Sequence, residues 1–336
     1  MKYLITGGAG FIGSNFVRHI LKNHKDATVT NIDALTYAGN LGNLKDVEED
    51  DRYTFIHGDI CNQDMVDELV KKTDIIVHFA AESHVDRSVR DATAFVKTNV
   101  AGTLTLLDSA KKHGNKRFHH VSTDEVFGAL KKDDSAFTEE TPYDPRSPYS
   151  ASKAASDHLV RAYFHTHNLP MTISNCSNNY GPFHFPEKLI PLAITNLLEG
   201  KKVPIYGKGD QVRDWLHVND HCLAIDKIIT NGTIGKTYLI GGDAQTTNNK
   251  LVRMILEIMN KDESFLETVQ DRPGHDFRYA INHDKITKEL GWVPETSLDK
   301  GLQDTVQWYS QNKQWWQEIK SGQYRKYYEQ QYGEKK

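Results

Sequence analysis

The octet Thr6-Gly7-Gly8-Ala9-Gly10-Phe11-Ile12-Gly13 joins a strand-like run, YLIT at 3–6, to a segment with helical spacing, GFIGSNFVRHILKNH. Glycines 8, 10 and 13 meet the G-x-G-x-x-G spacing, and glycines 7, 10 and 13 meet a G-x-x-G-x-x-G variant. That spacing serves a tight turn, close approach of backbone to a pyrophosphate, and close helix–strand packing, with the helix N-terminus facing negative charge. A glycine-rich turn alone would satisfy the same pattern, so the context decides. A second strand-like run, TVTNID at 28–33, ends on Asp33, whose carboxylate can accept hydrogen bonds from an adenosine ribose. It would also repel a 2′-phosphate. No Arg or Lys follows until Lys45, so the pattern favours NAD over NADP.

Further β-branched or aromatic runs recur at 53–59, 74–80, 117–123 and 171–177, with helix-length segments between them. Strands alternating with helices predict an α/β chain with a Rossmann-type, doubly wound parallel sheet. After Cys176 the rhythm changes. SNNYGPFHFPEKLIP is rich in turn formers, a helix follows at about 187–199, and KKVPIYGKGDQVRDW reads as a loop. The expected division is an NAD-binding Rossmann domain over 1–177 and a smaller, mainly helical lobe over 178–336 that adds a substrate cover. That boundary is approximate, and the chain can cross back.

Composition narrows the partners. With 41 Lys plus Arg against 45 Asp plus Glu, the formal charge is −4 and spread evenly, which leaves no footprint for nucleic acid or an anionic membrane. No apolar run is long enough to span a bilayer. Cys61, Cys176 and Cys222 form neither a CxxC pair nor an even framework, so a cytoplasmic location is expected. His119-His120 and His165-x-His167 invite a metal reading. Neither pair shares a face in its expected element, so none is assigned.

Tyr149 and Lys153 are four apart in a segment expected to be helical from Pro148, so they share a face. An ammonium near a phenol favours phenolate and would lower its pKa, making Tyr149 a base for a hydroxyl proton. Thr123 ends the fifth strand and is followed directly by Asp124 and Glu125. A plain alcohol dehydrogenase or a sugar 4-epimerase needs the hydroxyl, Tyr and Lys but has no use for two more carboxyl groups. An elimination needs both, one to remove a carbon-bound proton beside a carbonyl and one to protonate the departing hydroxyl.

The chain resembles the dTDP-glucose 4,6-dehydratases of the extended short-chain dehydrogenase/reductase type. The resemblance runs from TGGAGFIGSNF to DTVQWY through DALTYAGNL, AAESHVDRS, STDEVFG, SPYSASKAASDHL, NCSNNYGPFHFPEKLIP, YGKGDQVRDWLHV and DRPGHDFRYAIN. It implies a lyase that converts dTDP-glucose to dTDP-4-keto-6-deoxyglucose plus water. The implied route is NAD-mediated oxidation at C4, elimination across C5 and C6, and hydride return to C6. Tyr149, with Lys153 and Thr123, would act at C4, Glu125 as base at C5 and Asp124 as acid at C6. The family pattern further implies that Gly7, Gly10, Phe11, Ile12, Gly13, Asp33, Thr36, Asp59, Ile60, Ala80, Ala81, Thr98, Tyr149, Lys153 and Asn179 line NAD. Ser83, Thr123 and Asn178 would face the sugar, and Lys188, Leu189, Pro204, Tyr206, Arg213, Asn248, Arg272 and His275 the nucleotide diphosphate. Arg213 and Arg272 sit in segments expected to be loops, where guanidinium groups can clamp a pyrophosphate. The resemblance also implies a homodimer built on helices at about 92–113 and 148–166. The open alternatives are a 4-epimerase or a 4,6-dehydratase for another nucleotide sugar such as UDP-glucose. A non-catalytic NAD sensor is a third, although a sensor would not need all five catalytic groups.

Overall fold

A computed structural model describes residues 1–271 and 276–322. Its main sheet is built from β1 (Lys2–Thr6), β2 (Thr28–Asp33), β3 (Tyr53–His57), β4 (Ile75–His78), β5 (Arg117–Thr123) and β6 (Met171–Cys176). These strands are where the sequence runs place them. They are short, and β4 (IIVH) is apolar almost throughout, as a strand covered on both faces should be; β4 and β6 are buried at every position. Helices Phe11–Asn23, Gln63–Lys71, Thr103–Lys112 and Pro148–His167 fill the crossovers.

The shorter strands are β7 (Asn178–Tyr180), β8 (Val203–Tyr206), β9 (Val212–His217), β10 (Thr237–Ile240), β11 (Gln245–Thr247) and β12 (Leu266–Val269). The seven-stranded sheet has the order β10-β6-β5-β4-β1-β2-β3, and every pairing in it is parallel. Chain order reverses between β1 and β4, so a crevice opens beyond the C-terminal ends of those strands, where ligands of doubly wound sheets bind.

Two sequence expectations need correction. YLIGGD reads as a connector, yet its first part is β10, pairing Thr237–Ile240 with Ile173–Cys176. The segment after Lys202 reads as a loop, yet it holds β8 and most of β9. Runs this short, flanked by Gly and Pro, show no alternation, and only a partner strand settles them. The chain therefore returns to the first sheet after residue 177. The helix Val218–Asn231 packs on the same core as Phe16, Ile20 and Tyr238. A second core gathers Tyr180, Ile194, Trp215, Leu251, Leu302 and Tyr309. Beyond the main sheet lie the three-stranded array β11-β9-β7 and the β12-β8 pair, so this region holds more strand than expected.

The helical segment after Ala92 runs from Thr93 to Lys112, but Val96–Gly102 winds as a π-helix. A wider turn of this kind shifts side-chain phase and is frequent at functional sites. Here Thr98 reaches the crevice, and buried Asn99 brackets Glu82, accepting from its N–H at 2.8 Å and donating to its carbonyl at 3.0 Å.

Candidate active site

A cavity of ≈490 Å³ occupies the crevice and continues beneath the second core. On the cofactor side, Gly7 has φ +72°, and a Cβ there would lie 2.6 Å from the Ala80 nitrogen. A Cβ on Gly13 would lie 2.3 Å from the Gly7 carbonyl oxygen. The turn therefore closes only with glycine at these two places. Gly10 is the N-cap of the first helix and offers no side-chain cap. That leaves the helix's first N–H groups available to an anion.

Asp33 accepts from Ala9 N–H at 2.9 Å and from Leu35 N–H at 2.8 Å. It thus braces the glycine turn as well as facing the cavity. Burial raises its pKa, and these two backbone donors pull it back. Thr36, Asp59, Ile60, Ala80, Ala81, Thr98 and Asn179 line the same wall. Asn179 is held by its own donation to the Ser177 carbonyl at 3.0 Å and by a 2.8 Å contact with His221 Nδ1. The uncapped helix end, the cradle that a Cβ would fill and the carboxylate at the strand tip fit a dinucleotide.

The reacting groups converge where β5 ends. Thr123 caps a short turn, Asp124–Phe127, accepting from Glu125 N–H at 3.2 Å. The turn sends the two neighbouring carboxyl groups in different directions. Asp124 is 1% exposed, and its Oδ2 has no hydrogen-bond partner among the described residues. Burial pushes its pKa well above the ordinary carboxylate value, and the charges of Glu125 and Asp214 add to this. Such a group is a carboxylic acid with a proton to give.

Tyr149 and Lys153 are on the helix Pro148–His167, whose start is secured by a capping box between Ser147 and Ser150. Burial raises the Tyr149 pKa, Glu125 and Cys176 raise it further, and a hydrogen bond with Thr123 lowers it. Lys153 Nζ donates to the Val121 carbonyl at 2.8 Å, and burial lowers its pKa. Burial and the Glu125 charge thus work against the phenolate that Lys153 is expected to favour.

Opposite these groups, the cavity is lined by Ser83, Asn178, Lys188, Leu189, Pro204, Tyr206, Arg213 and Asn248. Ser83 is held from two sides, its Oγ 3.3 Å from Tyr37 Oη and its carbonyl accepting from Lys188 Nζ at 3.4 Å. The Oδ1 atoms of Asn178 and Asn248 are buried without a partner among the described residues, which suits a polar ligand. Arg213 is not on a solvated loop, as expected, but in β9 and 6% exposed. Its guanidinium donates to the Val212 and Asp276 carbonyls at 2.8 and 3.0 Å and lies 4.3 Å from the Tyr279 ring centroid. Arg272 and His275 lie outside the described residues. The sequence reading did not single out Tyr37, Glu187, Asp276 or Tyr279, all of which line the cavity. None carries a local spacing signal, and only their inclusion in the family-like stretches pointed to them.

A dinucleotide cradle on a doubly wound sheet, with Thr, Tyr and Lys at its mouth, defines a protein of the short-chain dehydrogenase/reductase class. The added acid–base pair narrows the class to nucleotide-sugar dehydratases, and the comparisons agree. The family model for GDP-mannose 4,6 dehydratase matches residues 4–305, and the chain belongs to that family. The dTDP-glucose 4,6-dehydratase of Salmonella typhimurium is 52% identical over 99% of either chain. Among solved structures, the dTDP-glucose 4,6-dehydratase of Bacillus anthracis in complex with NAD superposes with a TM-score of 0.89. It is 48% identical and covers 95% of this chain and 99% of that one. The Streptomyces venezuelae dTDP-glucose 4,6-dehydratase with NAD and TYD bound gives a TM-score of 0.92 at 48% identity, over 95% and 100%.

Proposed function

We propose that the protein is a hydro-lyase that turns dTDP-glucose into dTDP-4-keto-6-deoxyglucose and water, with NAD as its resident coenzyme. The observation that carries this is the pair Asp124–Glu125 at the mouth of the dinucleotide cradle, with Asp124 buried and pushed towards its acid form. A 4-epimerase has no step for such an acid. Similarity to dTDP-glucose enzymes supports the thymidine nucleotide over a uridine one.

The chain's residues divide the work as follows. As the phenolate that a nearby positive charge favours, Tyr149 takes the proton of the C4 hydroxyl, while the Thr123 hydroxyl holds the same oxygen. Lys153 orients the phenol side of the helix and the cofactor ribose. When bound, NAD supplies a hydride acceptor and donor, and a positive charge in its oxidised form. Once C4 is a ketone, C5–H is acidic and Glu125 removes it. Asp124 gives its proton to the C6 hydroxyl, which leaves as water. Arg213, Lys188, Asn248, Arg272 and His275 hold the nucleotide diphosphate, and a largely closed cavity keeps bulk water from the intermediates. The two cores correspond to a cofactor domain and a nucleotide-sugar lobe, with chemistry at their junction.

The protein works as a cytoplasmic homodimer. In support, Val89, Val96 and Leu104 are exposed apolar residues on the helical segments over 85–112. The deciding assay incubates purified protein with dTDP-glucose and, in parallel, UDP-glucose, and follows the alkaline absorbance of a 4-keto-6-deoxy product. Turnover of dTDP-glucose alone is expected. No product from either sugar would overturn the enzyme reading.

A further inference from the structure

Two turns beyond Tyr149 on the same helix, and one beyond Lys153, stands Asp157, a fully buried carboxylate that does not line the cavity. Its Oδ2 accepts from Ser122 Oγ at 3.0 Å, Tyr143 Oη at 2.7 Å and Asn175 Nδ2 at 3.2 Å. Its Oδ1 is 3.1 Å from His120 Nε2. Arg161 Nη2 donates to Tyr143 Oη at 2.8 Å, which turns the phenolic proton towards Asp157. Donors from β5, β6 and the loop before the helix therefore converge on one anion.

A fully buried anion is costly unless an opposite charge lies close. His120 does not provide one, since burial and Lys153 take its pKa down to about 4 and leave the ring neutral. Arg161 reaches Asp157 only through Tyr143. The nearest buried cation is Lys153, one helical turn away on the same face, and each of the two groups favours the charged form of the other. The remaining titratable groups around Lys153 are Tyr149, one turn back on the same helix, and His78, His120 and Cys176. Burial keeps the two histidines and the thiol neutral at pH 7: it lowers His78 and His120 and pushes Cys176 up to about 12.

We infer that Asp157 is a positioning residue for the reaction: its carboxylate, fixed by three donors on Oδ2, is the buried counter-charge that keeps the Lys153 ammonium protonated and in place beside Val121. This rests on the role given to Lys153 above, but its test does not need turnover.

In Asp157→Asn the hydrogen-bonding shape is largely kept while the charge is lost. Lys153 then has no counter-charge, and its folded-state pKa, already lowered by burial, falls further below the unfolded value near 10.4. Between those two values the unfolded chain binds the extra proton, so stability rises with pH. The Tm deficit of Asp157→Asn against the unmodified protein should therefore narrow from pH 7.5 to pH 10. In Lys153→Met/Asp157→Asn that dependence should vanish, and the double variant should melt above either single variant. Tyr143→Phe removes a donor but no charge from Asp157, and its deficit should not change with pH. With dTDP-glucose, Asp157→Asn should lower kcat about tenfold or more with KM little changed. A deficit that is flat with pH, or simple additivity of the two substitutions, overturns the inference. If Asp157→Asn alone does not fold, folding of the double variant supports it and failure of the double variant refutes it. Should no variant or parent turn over any sugar, the proposed function fails while the melting results still judge Asp157.

Discussion

Asp124 and Glu125 are neighbours in sequence with opposite tasks, and the turn capped by Thr123 is what separates them. Because Asp124 is held above its usual pKa by burial and by the charges of Glu125 and Asp214, it acts as an acid only while protonated. The rate of elimination is expected to fall as pH rises through that elevated value, and single-turnover pH profiles will show it. The same shift carries a stability cost. The extra stability of the protonated group is fully present below the unfolded pKa and is lost as pH rises through the folded one. Asp124→Asn should therefore melt a few degrees higher than the parent at neutral pH, with the gain shrinking at acidic pH, while losing most activity. Glu125→Gln is expected to slow the elimination by about 10²–10⁴-fold. It should leave reduced coenzyme and a 4-keto sugar on the enzyme, seen as persistent NADH absorbance. A variant that fails to reduce the coenzyme at all would contradict the division of labour between Tyr149 and Glu125. The carboxyl pair was legible in the sequence because its two members are adjacent. Asp214, which tunes Asp124 from β9, was not, because nothing local links the two.

At the level of elements, catalysis depends on two helix starts. The first follows the glycine turn, where a Cβ on Gly13 would meet the backbone of Gly7 and Gly8 at 2.3 and 2.8 Å. Gly13→Ala should abolish NAD binding in a fluorescence titration, since backbone cannot yield as a flexible side chain can. The second start carries Tyr149 in its first turn, secured by Ser147 and Ser150 donating and accepting reciprocally at 3.0 Å. Ser147→Ala should cost about 1 kcal/mol. For a chain of this size that is a fall of about 1–2 °C in Tm, with a lower kcat as the Tyr149 turn frays. Both helices were legible from spacing and capping residues. The π-helix at Val96–Gly102 was not. Its sequence, VKTNVAG, differs little from ordinary helix, and the wider turn is held by contacts that Asn99 makes with Glu82 and Ser152.

Across the whole molecule, the cavity exists because segments far apart in the chain meet over the sheet. Residues of the glycine turn, β5 and the long helix form its floor, and Lys188, Pro204, Arg213 and Asn248 close it from the other side. For the homodimer, Leu104→Glu is expected to yield monomers in sedimentation velocity runs, because a buried unpaired carboxylate opposes association. If the variant sediments as the parent does, the apolar face over 85–112 is not the interface.

The sequence by itself pointed to the doubly wound sheet, the dinucleotide turn, NAD as coenzyme and the five groups proposed to react. Each of these is written in short-range spacing: glycines in a turn, a residue at a strand end, two side chains four apart on a helix. Only the tertiary structure decided that TYLI completes the main sheet, that Arg213 is a buried strand residue and that burial raises the Tyr149 pKa. It also placed Asp157 one turn beyond Lys153 with three donors on its Oδ2. Strand pairing, burial and electrostatic fields depend on which distant segments pack together, and that information is absent from local spacing.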